Sequence, residues 1–237
     1  MVLQLSDTHL RATVRDRVFG RDPDERLAAV LDAWAATGQT ADLVLLTGDL
    51  ADDGSAAGCA RLADAVAAIG APVLAIPGNH DRPDIVASVW GGDDVASVGP
   101  WLVVGVDTTV PGEVHGAVDV PAVAARLDAL ERRPTLLALH HPPISRSTGD
   151  QFRLDGADDL LEALAQRPSV RAVVAGHLHD AVDLESSDGL PVLGCPATVV
   201  GITHDGDAME IAPDATTGAR VITLHEDGSV SSLILDA

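Results

Sequence analysis

Five short apolar runs in this chain each end in a loop carrying oxygen or nitrogen ligands, and this regularity constrains the fold most. Val2 to Leu5 is followed by Asp7 and His9. Leu43 to Leu46 leads into Gly48-Asp49, with Asp52 three residues on. Val73 to Ile76 leads into Gly78-Asn79-His80-Asp81. Leu136 to Leu139 runs into His140-His141, and Ala172 to Ala175 into Gly176-His177-Leu178-His179. Apolar runs of this length, alternating with helical patterns, predict an α/β domain. In open α/β sheets, sites form outside the C-terminal ends of the strands. Turn chemistry explains Asp and Asn after a strand. It gives no reason for histidine, yet six of the nine histidines fall in these loops.

Between the runs the helix signals are specific. Asp22, Pro23 and Glu25 supply an N-cap acid, a first-turn proline and a capping-box glutamate, ahead of Leu27, Val30, Leu31 and Trp34 at helical spacing. Leu62, Val66 and Ile69 mark a second helix. Pro121 opens a third, carrying Val123, Leu127 and Leu130, and Asp158 to Gln166 is a fourth, stopped by Pro168. Leu102 to Val106 reads as a further strand. Beyond residue 181 the pattern turns to short strands at Val182–Glu185, Leu190–Leu193, Val221–Leu224 and Val230–Leu235, with turns at Ser187-Asp188-Gly189 and Asp227-Gly228.

Charge narrows the partners. The 237 residues hold 36 acidic and 15 basic side chains, a formal net charge of −21. Such a field repels nucleic-acid polymers and anionic membranes. No secretory signal is read near Met1 and no apolar run reaches the roughly 18 residues of a membrane span. Cys59 and Cys195 have no paired spacing, so they read as buried thiols in a reducing, cytoplasmic setting.

Carboxylates, a carboxamide and imidazoles without thiolate suit borderline divalent ions such as manganese, iron, zinc or cobalt. On an extended backbone, residues two apart point the same way, so Asp7 can converge with His9, and His177 with His179. The ligands are too many for one ion. Two ions about 3.5–4 Å apart, bridged by a carboxylate, would use them all, an arrangement suited to phosphoester hydrolysis. Such a pair would also make a locally positive site within an acidic protein.

In order, Asp7-x-His9, Gly48-Asp49-x-x-Asp52, Gly78-Asn79-His80-Asp81, His140 and Gly176-His177-x-His179 resemble the motif set of the calcineurin-like metallophosphoesterase superfamily. Within it, Leu5-Ser6-Asp7-Thr8-His9, the closing Asp81 and His140-His141-Pro142-Pro143 are most similar to class III cyclic-nucleotide phosphodiesterases. The purple acid phosphatase branch uses a tyrosine ligand, and this chain has no tyrosine. The resemblance implies a four-layer αββα sandwich of two mixed sheets, formed by residues 1–237 as a single domain, with the β-rich part from about 181 to 237 completing the second sheet. It implies one ion held by Asp7, His9, Asp49 and His179, and another by Asp49, Asn79, His140 and His177. It places His80 beside the substrate as general acid or transition-state stabiliser, oriented by Asp81. It implies two metal ions (Mn, Fe or Zn) and hydrolysis of a 3′,5′-cyclic nucleotide to a 5′-nucleotide. Relatives are often dimers, so the resemblance is compatible with a homodimer.

The alternatives are a broad-specificity phosphodiesterase or phosphomonoesterase on the same site, and a scaffold that has lost the chemistry. The complete ligand set argues against the scaffold. Outside the motifs, His141 reads as support for a neighbouring ligand, and His115, His204 and His225 as surface or turn histidines, with His204 the best placed of them to meet substrate. Arg82 and Arg146 are candidates for a phosphate or a base. Phe152 and Trp90 read first as core or dimer contacts and second as stacking surfaces. The segment from Pro196 to Gly218 is expected near the second sheet and the substrate mouth.

Overall fold

A computed structural model describes residues 1–205, 208–212 and 215–237 of the chain. The first half runs β1 (Val2–Leu5), α1 (Pro23–Ala36), β2 (Leu43–Thr47), α2 (Ala56–Ala67), β3 (Val73–Ile76), α3 (Pro83–Trp90), β4 (Val95–Val98) and β5 (Trp101–Gly105). Then come β6 (Gly116–Ala117), α4 (Val120–Ala129), β7 (Thr135–Ala138), a single 3-10 turn at Asp150–Phe152, β8 (Leu154–Asp155), α5 (Ala157–Ala165) and β9 (Val170–Ala175). The remainder is β10 (Asp183–Glu185), β11 (Pro191–Gly194), β12 (Ile202–Asp205), β13 (Ala208–Ile211), β14 (Gly218–Leu224) and β15 (Val230–Asp236). Asp22 caps α1 as expected, its carboxylate accepting the Asp24 and Glu25 amides.

Two mixed sheets form the centre. The first has the order β15-β14-β1-β2-β3, the second β10-β11-β9-β7-β5-β4. Strands β1, β2 and β3 are mutually parallel, as are β5, β7, β9 and β11, while β4, β10, β14 and β15 run antiparallel to their neighbours.

The period of two along each strand explains the four layers. Leu3, Leu5, Val44 and Leu46 face α1 and α2, meeting Leu27, Val30, Trp34, Leu62 and Val66. Their alternates Val2, Leu43 and Leu45 face the second sheet, where Val103, Leu136, Ala172 and Val174 meet them. The outer face of that second sheet, Leu102, Val104, Leu137 and Val173, packs on Val123 of α4 and on Leu160 and Leu164 of α5. Three apolar seams thus join helix, sheet, sheet and helix. Burying strands on both faces requires the near-continuous apolar runs seen in the sequence.

The C-terminal β-rich part departs from expectation. It does not simply complete the second sheet: β10 and β11 join it, whereas β14 and β15 add to the first, and β12 and β13 pair as a separate hairpin. Residues 206, 207, 213 and 214, within the 196–218 segment, lie outside the described residues. The residue pattern gives no signal for α3, β4, β6, β8 or the β12–β13 hairpin.

One buried polar bridge sets how the sheets meet. Gln4 Nε2 of β1 donates to Thr47 Oγ1 (3.0 Å) and across the seam to Ala175 O (3.2 Å). The ends of β1, β2 and β9 are thereby brought together, and the loops that follow them converge.

Candidate metal centre

The five loops meet at the C-terminal ends of β1, β2, β3, β7 and β9. Seven non-glycine residues among those described have positive φ, and five of them are candidate ligands: Asp7 (52°), His9 (48°), Asp49 (52°), His177 (70°) and His179 (53°). Left-handed backbone costs roughly 1–2 kcal/mol at such residues, and strain of this kind gathers at functional sites. The expected convergence of Asp7 with His9 occurs, but by a different geometry, whereas His177 and His179 fall into separate clusters. Asp7 and His9 do not alternate on an extended strand. Left-handed turns at both residues curl the chain, pinned by Asp7 N–H to Gly48 O (3.0 Å) and His9 N–H to Asp49 O (2.9 Å).

The motif glycines allow the loops to touch. A Cβ at Gly78 would overlap Asp49 and lie 2.7 Å from His140 Cε1, and one at Gly176 would overlap Ser6 and lie 2.8 Å from Asp7 Oδ2. Gly48 leaves room for the His140 ring in the same way.

Asp7, His9, Asp49, His140, His177 and His179 are all buried. Asp7, His9 and His179 offer ligand atoms within 4.8 Å of one another, as do Asp7, Asp49 and His140. The two oxygens of Asp49 face opposite ways: Oδ2 lies 3.7 Å from His9 Nε2 and Oδ1 3.4 Å from His140 Nε2. Asn79 Oδ1 is 3.2 Å from the same His140 nitrogen. The His177 ring lies 5.0 Å from that of His140, and its Nε2 is buried without a partner.

The far nitrogens of the imidazoles fix their tautomers. His140 Nδ1 meets Thr47 O (2.7 Å) and His179 Nδ1 meets Val200 O (2.9 Å). A carbonyl only accepts, so both Nδ1 atoms carry the proton. His9 Nδ1 likewise donates to Asp52 Oδ1 (3.2 Å). The Nε2 atoms are left with bare lone pairs. Those of His9 and His179 lie 3.2 Å apart, and that of His140 faces the oxygens of Asp49 and Asn79. Lone pairs aimed at one another are repulsive in a buried site unless a cation accepts them all. The donor set therefore fits metal ions.

Burial and the Asp49 charge push the Asp7 carboxyl well above its usual range. Burial also pushes Asp49 up, but His140, His9 and His80 together hold it below. Burial and neighbouring imidazoles push His177 well down and His179 down to about 3, so these rings are neutral, the form that binds a metal.

His80 lies at the rim, with its side chain 37% exposed. The expectation that Asp81 orients it is corrected. Asp81 accepts the amides of Leu50, Ala51 and Gly78 at 2.9–3.0 Å, tying the second loop to the third. His80 is held through Nδ1, which donates to the backbone carbonyl of Asp52 (3.0 Å). Asp52 thus holds His9 with its side chain and His80 with its main chain. The motif contained this residue, but no spacing rule revealed the double role.

His141 is engaged at both nitrogens, accepting from Thr108 Oγ1 (2.7 Å) and donating to Val114 O (3.0 Å), so it supports its neighbour His140 rather than completing the ligand set. His204 donates to Leu178 O (2.9 Å) and packs against Phe152, whose ring lies 5.5 Å from that of His177. Phe152 is buried, and Trp90 packs on the first core seam, so neither offers a free stacking face. Arg82 pairs with Asp84, and Arg146 is exposed. His115 sits between Glu113 and Asp155, and His225 meets Ser231 Oγ. Phe19 belongs to none of the sequence motifs, yet its ring lies 6.0 Å from that of His9 and 6.1 Å from that of His179.

Comparison with known proteins agrees with this geometry. The chain is 33% identical to a probable cyclic nucleotide phosphodiesterase of Synechococcus sp., over 98% of this chain and 91% of that protein. It is 32% identical to the 3′,5′-cyclic adenosine monophosphate phosphodiesterase CpdA of Escherichia coli, over 98% and 87%. A dimetal phosphatase from Danio rerio shares the fold at a TM-score of 0.68, with 15% identity over 99% of this chain and 98% of that one. The family model for calcineurin-like phosphoesterase matches residues 1–181, which include all five ligand loops. The chain belongs to the calcineurin-like phosphoesterase family.

Proposed function

We propose that this protein is a two-metal phosphodiesterase that opens a 3′,5′-cyclic nucleotide to the 5′-nucleotide. The observation that carries the two-metal reading is Asp49, whose oxygens face His9 on one side and His140 on the other. Asp7, His9, Asp49 and His179 would hold one ion, and Asp49, Asn79, His140 and His177 the second. Manganese, iron and zinc all suit these nitrogen and oxygen donors. When bound, the ions supply Lewis acidity and activation of the attacking water.

The chain's own groups complete the chemistry. The Nδ1 proton of His80 is fixed on Asp52 O, which leaves Nε2 for the substrate, 3.9 Å from Asp49 Oδ2. Burial pulls the His80 pKa down, but Asp49, Asp52 and Asp81 raise it overall. These carboxylates favour the protonated ring, whose Nε2 proton would go to the leaving ribose oxygen, a contribution of about 10²–10⁴-fold. Asp81 acts at one remove by fixing the loops of Asp49 and Asn79. The similarity to named cyclic-nucleotide phosphodiesterases over nearly the whole chain supports the substrate class.

Among the described residues no helix is long and apolar enough to cross a membrane. The two cysteines are free and buried, which supports a cytoplasmic location.

The test compares 3′,5′-cyclic AMP, bis(p-nitrophenyl) phosphate and p-nitrophenyl phosphate on Mn²⁺-reconstituted protein, with bound metal quantified. The reading expects the cyclic nucleotide to have the highest kcat/KM and Asp49→Ala to lose activity together with metal. Preference for the monoester, or an active Asp49→Ala, would sink it.

A further inference from the structure

The aromatic inventory of the chain is small: two phenylalanines, three tryptophans and no tyrosine. Trp34, Trp101 and Phe152 are buried, and Trp90 is partly buried against the core. Phe19 alone among them is exposed, at 38%, and it stands edge-on to the ligand rings of both His9 and His179.

Its backbone is unusual. Val18 and Arg21 exchange both amide hydrogen bonds at 2.9 Å, closing a two-residue turn of Phe19 and Gly20 with φ of 50° and 77°. Positive φ at both central residues is the signature of a type I′ turn, whose first position favours Asn, Asp or Gly. A bulky residue there is strained, and the inference runs from such an outlier to function. The turn does not lie loose on the surface. Val18 is buried against Ala197, Val199 and Val200, and the carbonyl of Val200 also fixes His179. The same short segment therefore sets the position of the Phe19 ring and of a candidate metal ligand.

We propose that Phe19 is a substrate-contacting residue whose ring forms the apolar wall for the nucleoside part of the substrate, beside the Asp7–His9–His179 cluster. This rests on the cyclic-nucleotide reading above. A planar base or a ribose face meets an aromatic ring favourably, and the −21 chain offers no other exposed Phe or Trp to receive it.

The experiment replaces Phe19 with residues that suit the turn better. Phe19→Asn and Phe19→Gly should melt no lower than wild type and keep the wild-type metal content. They should raise the KM for 3′,5′-cyclic AMP about tenfold, with a much smaller change in kcat. Phe19→Tyr should hold KM within about twofold, and Val14→Asn, exposed in the same loop, should behave as wild type. A KM unchanged in both turn-compatible variants overturns the proposal, as does a loss of bound metal with KM unchanged, which would make Phe19 only a cover over the histidines. If the wild type cleaves bis(p-nitrophenyl) phosphate but neither turns over nor is inhibited by cyclic nucleotides, the substrate reading itself falls and the proposal with it.

Discussion

Replacing Gly78 by alanine adds one methyl group at the point where three loops meet. Its Cβ would lie 2.7 Å from His140 Cε1 and would overlap both the amide and the carboxylate of Asp49. Ordinary carbon contacts start near 3.5 Å, so His140 must retreat by about 0.8 Å and Asp49 by more. Neither can swing away cheaply. Asp49 is held in left-handed backbone, and the Gly78 amide is itself bound to Asp81 Oδ2 at 2.9 Å. Overpacking of this kind destabilises by about 1–3 kcal/mol, which lowers Tm by several degrees in a chain of this size. The larger effect falls on activity, because a displacement of about 1 Å in a reacting constellation costs about 10²-fold. Gly92→Ala is the matched control: its Cβ meets nothing within 4 Å and its φ is not left-handed. The assay is kcat/KM on the metal-reconstituted protein, with Tm and bound metal measured on the same samples. If Gly78→Ala kept two metals per chain and came within fivefold of Gly92→Ala in activity, the close approach of these loops would not govern the site, and the reasoning would be refuted.

Two other substitutions separate positioning from chemistry. Asp52→Ala removes the acceptor of His9 Nδ1 but leaves the carbonyl that holds His80, so metal affinity should fall about 10–100-fold, with most of kcat restored at saturating metal in a metal titration. Arg220 is buried and spends its guanidinium on Gly194 O, Val182 O, Ser232 Oγ and the Asp183 carboxylate. Arg220→Met should lower unfolding free energy by about 2 kcal/mol in a urea titration, without altering KM.

The parallel core strands and the candidate ligand loops are legible because both obey local rules. A strand buried on both faces must read as an apolar run, and the ligand types must stand just past its end, as Asp7, Asp49, His140 and His177 do. What escaped depends on contacts between distant segments. Asp81 reads as the partner of its neighbour His80, yet its carboxylate is taken by three amides, two of them some 30 residues earlier in the chain. Asp7 and His9 do converge, but through left-handed backbone that no alternation rule describes. Phe19 was silent because a phenylalanine before glycine carries no turn signal comparable to Asn-Gly. Four of the six strands after residue 181 are visible individually, while the β12–β13 hairpin gives no signal. The division of those four between two sheets is not visible, since strand partners are set by tertiary packing rather than by composition.

The place of β14 has a consequence for the order of assembly. Strand β1, which carries the Asp7–His9 loop, is flanked by β2 on one side and by residues 220–222 of β14 on the other. During synthesis β1 therefore keeps one edge open until its β14 partner, as far along as Ile222 opposite Val2, has been made. Pairings of such long sequence separation form late and slowly, and an open edge is prone to wrong partners meanwhile. Ions that draw the five loops together before that closure would hold β1 beside β2 and β9, so metal supply during synthesis should influence the yield of native protein as well as its activity.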